Sequence, residues 1–174
     1  MISKVKEFLG NYRPKNVTGG AAVYPLMVLF LLNTVDELDS QAFNILGPNI
    51  RDHFGLNLAG ILGLISIVGI ADLLLGLPVG YFADRWNRTR MAGAGAATWG
   101  AFTLLTGFAP TIGILALARA GSGLGKTVNS PTHNSLLSDY YPVSVRPNVY
   151  GFHRIANSIG QSIGPIAAGL LAAA

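Results

Sequence analysis

Long apolar runs dominate the chain, and short polar segments that contain proline, asparagine or arginine separate them. The hydrocarbon core of a bilayer is about 30 Å thick, and about 20 residues of α-helix cross it. Backbone amides inside lipid need partners within the protein, so apolar runs of this length are expected to be helical. The pattern predicts five membrane-spanning helices: Tyr24–Leu46, Leu58–Phe82, Met91–Ala109, Ile112–Leu137 and Tyr150–Ala173.

The composition also indicates a membrane protein. Of the 174 residues, 51% are hydrophobic and 11% are charged, whereas soluble domains carry about 25% charged residues. The mean hydropathy is +0.46, and the 22 glycines suit transmembrane helices, in which glycine is frequent. The chain has no cysteine, which excludes disulfides and thiolate metal sites. No other metal-ligand spacing occurs, so we expect neither a metal nor a cofactor.

The basic residues outside the apolar runs are distributed unevenly. One side of the predicted topology holds the lead-in and the second and fourth connections, whose cations are Lys4, Lys6, Arg13, Lys15, Arg85, Arg88, Arg90 and Arg146. The other side holds Arg51. The positive-inside rule predicts that the first side is cytoplasmic. We therefore expect residues 1–23 to be a cytoplasmic lead-in of a multi-pass inner or plasma membrane protein, with no role in nucleic-acid binding.

The second connection contains a charged motif with a defined spacing. The pattern Gly-x-x-x-Asp-Arg-x-x-Arg is formed by Gly80, Asp84, Arg85 and Arg88. It resembles the loop between the second and third helices of the major facilitator superfamily. Gly80 would let two helices approach closely, and Asp84 would cap the next helix. Arg85 and Arg88 would pair with Asp139 to form a gate at the cytoplasmic face, although a generic basic loop would show similar charges.

The fifth predicted helix carries a glycine-proline motif made of Gly160, Gly164, Pro165 and Gly169. It is similar to a motif in the fifth helix of the same superfamily. Small residues four apart allow close helix packing, and a proline kinks a span. Plain helix packing explains the motif equally well, so it supports the family more than any transport mode.

Within the superfamily, the chain most resembles the Spinster-like transporters. The shared features are Asn33 and Asp36 in the first helix, Trp99 in the third, and Arg119 and Pro131 in the fourth. The resemblance implies an all-α membrane protein, with five helices of an incomplete N-terminal six-helix bundle. It also implies a secondary transporter and not an enzyme, acting on an organic solute such as a lysolipid or a drug-like molecule. The remaining helices would belong to the same chain or to a partner.

Two charges depart from the Spinster-like pattern. Glu37 stands where that family typically has arginine, and Lys126 stands where it has glutamate. Because an unpaired charge in the bilayer centre is costly, we expect Glu37 and Lys126 to face each other as a pair with exchanged signs.

Ionisable residues inside the apolar runs are the candidates for function. We assign five of them to a proton-coupling or substrate cavity: Asp36, Glu37, Asp72, Arg119 and Lys126. Asn33, a polar residue of the first helix, is assigned to the same cavity. A carboxyl group in a low-dielectric cavity can hold a proton near neutral pH, and Asp36 is the first choice for that role. A static ion pair with Lys126 or Arg119 is the alternative. Asp72 is either a second proton site or a hydrogen-bonding residue.

The segment Ala120–Thr127 fits a relaxed phosphate-loop pattern. A true phosphate loop follows a buried strand and opens a helix, whereas this segment lies inside an apolar run, so nucleotide binding is disfavoured.

The sequence favours a secondary active transporter that works by alternating access, proton-coupled through Asp36. The alternative is a truncated or split membrane subunit that acts as a non-transporting partner or scaffold.

Overall fold

A computed structural model describes residues 13–173, apart from the side chains of Asp84, Ser130 and Ala173. The first twelve residues of the predicted lead-in therefore lie outside the described residues. The described residues form helices and no strands. The helices are α1 (Pro14–Val17), α2 (Tyr24–Ile45), α3 (Gly47–His53), α4 (Leu58–Arg85), α5 (Arg88–Gly107), α6 (Ile112–Tyr140) and α7 (Arg146–Ala173).

The five long helices α2, α4, α5, α6 and α7 occupy the five predicted segments, and their ends lie within about one turn of the predicted positions. The all-α fold class is confirmed. Helices α1 and α3 were not predicted, and α3 fills much of the connection expected between the first two spans. Pro14 and Pro48 lie in the first turns of α1 and α3, where a missing amide hydrogen costs no helical hydrogen bond.

Side-chain caps fix where α4 and α5 begin. Asn57 accepts a hydrogen bond from the Gly60 amide at 2.8 Å, and Asn87 accepts one from the Arg90 amide at 3.0 Å. Such caps satisfy amides that have no partner within the helix. The cap of α5 is therefore Asn87 and not Asp84, which lies in the last turn of α4. The expectation that Asp84 caps this helix was wrong because α4 continues three residues beyond its predicted end.

Glycines on α6 bring α4 and α5 close to it. A Cβ atom added at Gly125 would overlap the backbone of Trp99 on α5, and one at Gly123 would lie 3.1 Å from the Cα of Val68 on α4. Both glycines belong to the segment that fits a phosphate-loop pattern, yet α6 runs through it without interruption. Here the glycines serve helix packing, and the segment has no loop that could surround a phosphate.

Helix α7 packs along α2 through two of its glycines. A Cβ atom at Gly160 would lie 2.6 Å from the Cβ of Glu37, and one at Gly164 would lie 2.7 Å from the Cβ of Gln41. The space beside Gly169 is open within 4 Å. The predicted motif thus divides into two glycines that contact α2 and one that contacts no neighbouring helix among the described residues.

Tyr141 joins the start of α2 to the end of α6. Its hydroxyl donates to the Ala22 carbonyl at 2.6 Å and accepts from the Leu26 amide at 3.1 Å. Burial raises the pKa of the Tyr141 phenol above its ordinary value, so the hydroxyl keeps the proton that it donates. We call this end of the molecule, which holds Tyr141 and the α4–α5 connection, the arginine end, and the opposite end the α3 end.

Large apolar side chains cover the outside of the bundle. Leu77 on α4 is 87% exposed and Phe108 after α5 is 81% exposed. Among the described helices, Leu58–Ala83 alone has the length and hydropathy of a membrane span, with a mean hydropathy of 2.4. The other long helices have lower mean hydropathy because polar and small residues occur along them. An apolar surface of this extent is suited to contact with lipid.

Candidate functional site

A polar cavity of about 390 Å³ lies between α2, α4, α6 and α7. Helices α2 and α7 form one wall, and α4 and α6 form the other. The cavity brings together five of the predicted site residues, which are Asn33, Asp36, Glu37, Asp72 and Lys126. The α2 residues Asn33, Asp36, Glu37 and Ser40 therefore line a polar cavity.

Lys126 links the two walls of the cavity. Its Nζ lies 2.6 Å from Oδ1 of Asp36 and 3.0 Å from Oδ2 of Asp39. It also donates to the Ser40 hydroxyl at 2.7 Å. This ammonium group on α6 therefore contacts three side chains of α2.

The expected pair between Glu37 and Lys126 is not found, because Lys126 binds Asp36 and Asp39 instead. Glu37 accepts a hydrogen bond from Nε2 of Gln41 at 3.1 Å. Adjacent residues on a helix point about 100° apart, so Asp36 and Glu37 cannot both point at the same side chain of α6. The expectation was therefore wrong in pairing Lys126 with Glu37, since the neighbouring Asp36 is its partner.

Arg119 is buried beyond the cavity wall, nearer the α3 end. Its Nη1 lies 3.6 Å from Oδ2 of Asp39, and its guanidinium carbon lies 3.9 Å from the centre of the Phe43 ring. Asp39, which was not among the site residues assigned from the sequence, therefore connects Lys126 to Arg119. The two cations balance Asp36 and Asp39, and a buried charge is tolerable when it is paired in this way.

Other polar residues complete the cavity. Asn129 donates to Oδ2 of Asp36 at 3.4 Å, and the side chains of Asn33 and Asn157 are hydrogen-bonded to each other. Asp72 is exposed to the cavity and forms no ion pair or hydrogen bond with another described residue. The structure therefore leaves both interpretations of Asp72 open.

Several cavity residues were not assigned to the site from the sequence, and one of them, His133, was interpreted there as a packing residue. On α6, Asn129 and His133 follow Lys126 at spacings of three and seven residues, and on α7, His153 and Asn157 are four apart. Polar residues three, four and seven apart share one face of a helix. This periodicity was therefore the signal that could have identified them.

At the arginine end, Nη1 of Arg88 lies 2.5 Å from Oδ2 of Asp139. Arg85 has a different contact, since its guanidinium carbon lies 4.0 Å from the centre of the Tyr81 ring. A Cβ placed on Gly80 would have no atom of a neighbouring described helix within 4 Å. Of the residues expected to form the gate, the structure thus pairs Arg88 with Asp139, while Arg85 and Gly80 do not join that contact.

The described residues thus form a bundle of membrane-length helices around a charged polar cavity, as in an integral membrane protein with an internal site. Residues 29–174 match the family model of the Major Facilitator Superfamily. The chain belongs to this superfamily of integral membrane transporters, as the sequence motifs predicted.

Individual relatives agree with this membership. The chain is 26% identical to the probable L-galactonate transporter of Escherichia coli over 80% of its length, and 29% identical to protein spinster homolog 1 of Bos taurus over 91%. These matches span only 31% and 30% of the two relatives. The chain therefore covers less than a third of each.

A solved structure has the same fold. It is a bacterial homologue of the human lysosomal transporter Spinster, in an inward-facing and unoccupied conformation. The TM-score is 0.79 at 28% identity, and the match covers 85% of this chain and 31% of that one. The resemblance to Spinster-like proteins is confirmed both in sequence and in fold.

Proposed function

We propose that this chain forms part of a secondary active transporter, which moves a small organic solute across a membrane by alternating access and is coupled to protons through Asp36. The observation that carries the proposal is the position of Lys126. From α6 it forms ion pairs with Asp36 and Asp39 of α2 at the polar cavity. Intramembrane charges at such a position are typical of transport pathways and proton relays.

A proton on Asp36 would act directly on the contact between α2 and α6. With both carboxylates ionised, Lys126 is attracted to Asp36 and to Asp39. A proton that neutralises Asp36 removes one of these attractions and leaves Lys126 with Asp39 and Ser40. Because Asp36 and Lys126 lie on different helices, the change alters the relative stability of conformations in which α2 and α6 are close or apart.

The arginine end would act as the gate on one face of the membrane. Arg88 ties the start of α5 to Asp139 at the end of α6, and Tyr141 ties the end of α6 to α2. The excess of basic residues in this region supports a cytoplasmic location for the arginine end and the N-terminus. We place the protein in an inner or plasma membrane on the same basis.

The relatives suggest which organic solutes to test. One of them is named for L-galactonate, a sugar acid, and another is a Spinster protein. A sugar acid is hydrophilic, whereas the lysolipid class inferred from the Spinster resemblance is amphipathic. The panel of solutes should therefore contain at least one member of each class.

The test is solute uptake by the intact protein in proteoliposomes, measured with and without an inward proton gradient. We expect the gradient to drive accumulation in the parent. Asp36→Asn should retain exchange of solute at equal pH but lose the gradient-driven accumulation. Asp52→Asn, which neutralises a carboxylate that is 69% exposed on α3, is the matched control and should behave as the parent.

Two outcomes would contradict the proposal at different points. Unchanged gradient-driven accumulation in Asp36→Asn would remove Asp36 from the coupling mechanism. Absence of flux for every solute in the parent would favour the alternative of a non-transporting membrane partner or scaffold.

A further inference from the structure

The cavity has two regions of different charge. Lys126 and the carboxylates around it form the first. His133 lies seven residues after Lys126 on α6, which places it about 10 Å along the helix axis toward the arginine end. There it lies with His153 and Arg154 of α7 along the same cavity. We call these three residues the histidine–arginine cluster, and the coupling mechanism above does not use them.

The two histidines carry nitrogen atoms with no partner. His133 is 2% exposed and His153 is 8% exposed, and their ring centres are 5.6 Å apart with the rings nearly perpendicular. Nε2 of each ring has no hydrogen-bond partner among the described residues. Buried polar atoms usually have one, and both rings line the cavity. The two nitrogens are themselves buried, so a ligand would reach them through a small movement of the rings.

Arg154 adds a positive charge to the same region. Its side chain is exposed in the cavity and forms no ion pair or hydrogen bond with another residue in the range 13–173. Lys126, in contrast, is held by Asp36 and Asp39. Of the two cations in the cavity wall, Arg154 is therefore the one available to an anion, and guanidinium pairs well with a carboxylate.

The lining of the cavity indicates how polar the ligand is. Within the described part of the chain, Val68 is the one aliphatic side chain in the wall, whereas Asn33, Asn134 and Asn157 offer amide groups. An acyl chain here would displace water from carboxylates and amides without replacing their hydrogen bonds, which is unfavourable. A hydroxyl group both donates and accepts, so it can bond a neutral imidazole nitrogen in either tautomer.

We propose, given the transport function above, that the histidine–arginine cluster binds a hydrophilic hydroxylated carboxylate as the transported solute. Arg154 pairs with the carboxylate, and His133 and His153 hydrogen-bond the hydroxyl groups. The acidic residues Glu37 and Asp72 lie near the level of Lys126, away from the carboxylate of the solute. The cavity volume of about 390 Å³ is within the range of small-molecule sites.

The test is equilibrium binding of radiolabelled L-galactonate to the intact protein in nanodiscs, without any gradient. Three competitors separate the features of the ligand: galactose has the hydroxyls without the carboxylate, hexanoate has the carboxylate without the hydroxyls, and lysophosphatidylcholine is amphipathic. We expect unlabelled galactonate to compete at least about tenfold better than each of them, since both kinds of contact are needed.

Variants then assign the contacts. Arg154→Gln should weaken galactonate binding about tenfold or more, and should remove the advantage of galactonate over galactose. His153→Leu should weaken binding by a similar factor, with partial recovery in His153→Gln, which keeps a hydrogen-bonding group. Arg51→Gln, which removes a cation at the α3 end, is the matched control for charge. Thermal unfolding of each variant checks that it is folded.

The outcomes distinguish this inference from the proposed function. Parent-like galactonate binding in folded Arg154→Gln, equal competition by galactose, or better competition by lysophosphatidylcholine would overturn the inference. So would the absence of galactonate binding to the parent. If proton-driven flux of another solute persisted in any of these cases, the transport function would stand and only the assigned ligand class would fall.

Discussion

At the residue scale, Lys126 is the group on which the cavity depends most. It is held by two carboxylates of α2. It also lies 5.6 Å from the centre of the Trp99 ring, where a cation is stabilised by the face of an indole. A lysine in this position is acceptable inside a membrane because each part of its environment compensates its charge.

Replacing Lys126 should therefore destabilise the protein strongly. Lys126→Gln leaves Asp36 and Asp39 near each other with one fewer cation, and loss of one partner of a buried pair costs about 3–5 kcal/mol. The double variant Asp36→Asn/Lys126→Gln should recover part of that loss, because Asp39 keeps Arg119. Thermal unfolding of both singles and the double measures the coupling. Strictly additive effects would show that Asp36 and Lys126 do not interact in the membrane.

The exposed pair at the arginine end should behave differently. Arg88 and Asp139 are 33% and 50% exposed, and exposed ion pairs contribute about 1 kcal/mol or less. Arg88→Gln should thus barely change thermal unfolding. If the pair holds a gate, however, a cysteine placed at Asn134 should react faster with a hydrophilic maleimide in the Arg88→Gln background. Arg90→Gln, a nearby exposed cation, is the control and should leave the labelling rate unchanged.

Residue types could be predicted from the sequence better than residue partners. Charges in the middle of a membrane are recognisable from their positions inside apolar runs, and Asp36 and Lys126 were both identified in this way. The choice between Asp36 and Glu37 depends on the rotation of α2 about its axis and on its height relative to α6. Neither quantity is contained in the spacing along one helix, so Lys126 was assigned to Glu37 and Asp39 was undervalued.

At the scale of elements, glycine contacts determine how closely the helices pack. Gly160 and Gly164 let the backbone of α7 approach α2, and Gly123 and Gly125 place α6 between α4 and α5. The sequence located the helices because membrane thickness fixes their length. It did not show which glycines lie in an interface, since an interface requires a second helix at the right height.

Matched glycine substitutions test this packing. A Cβ at Gly160 would lie 2.7 Å from the Thr34 carbonyl oxygen, whereas none of the described atoms lies within 4 Å at Gly169. Gly160→Ala should destabilise by about 1–3 kcal/mol through overpacking. Gly169→Ala should be neutral or slightly stabilising, because alanine favours a helix over glycine by about 1 kcal/mol. Equal thermal stabilities of the two variants would show that α2 and α7 are not in close contact.

At the scale of the whole molecule, large apolar side chains cover the outside of the bundle, and the charges of the described residues lie in or beside the cavity or near the two ends. Such a distribution fits a protein whose solvent is lipid. The sequence predicted it because the apolar runs and the basic connections alternate along the chain. Helix α4 alone among the described helices has the hydropathy of a typical span, and the other spans were predicted from the length of their apolar runs.

The orientation of this bundle in the membrane is the last consequence of its charge distribution. Basic residues near the arginine end predict that this end faces the cytoplasm, with α3 on the opposite side.

Because the chain contains no cysteine, a single introduced cysteine reports the side of the membrane on which it lies, without background from other residues of the chain. Asp52→Cys on α3 should react with an impermeant maleimide added to intact cells, whereas Lys15→Cys in α1 should react only after permeabilisation. Both positions are exposed, so failure to react reflects membrane side and not burial. The reverse labelling pattern would invert the topology and place the proposed gate on the outer face.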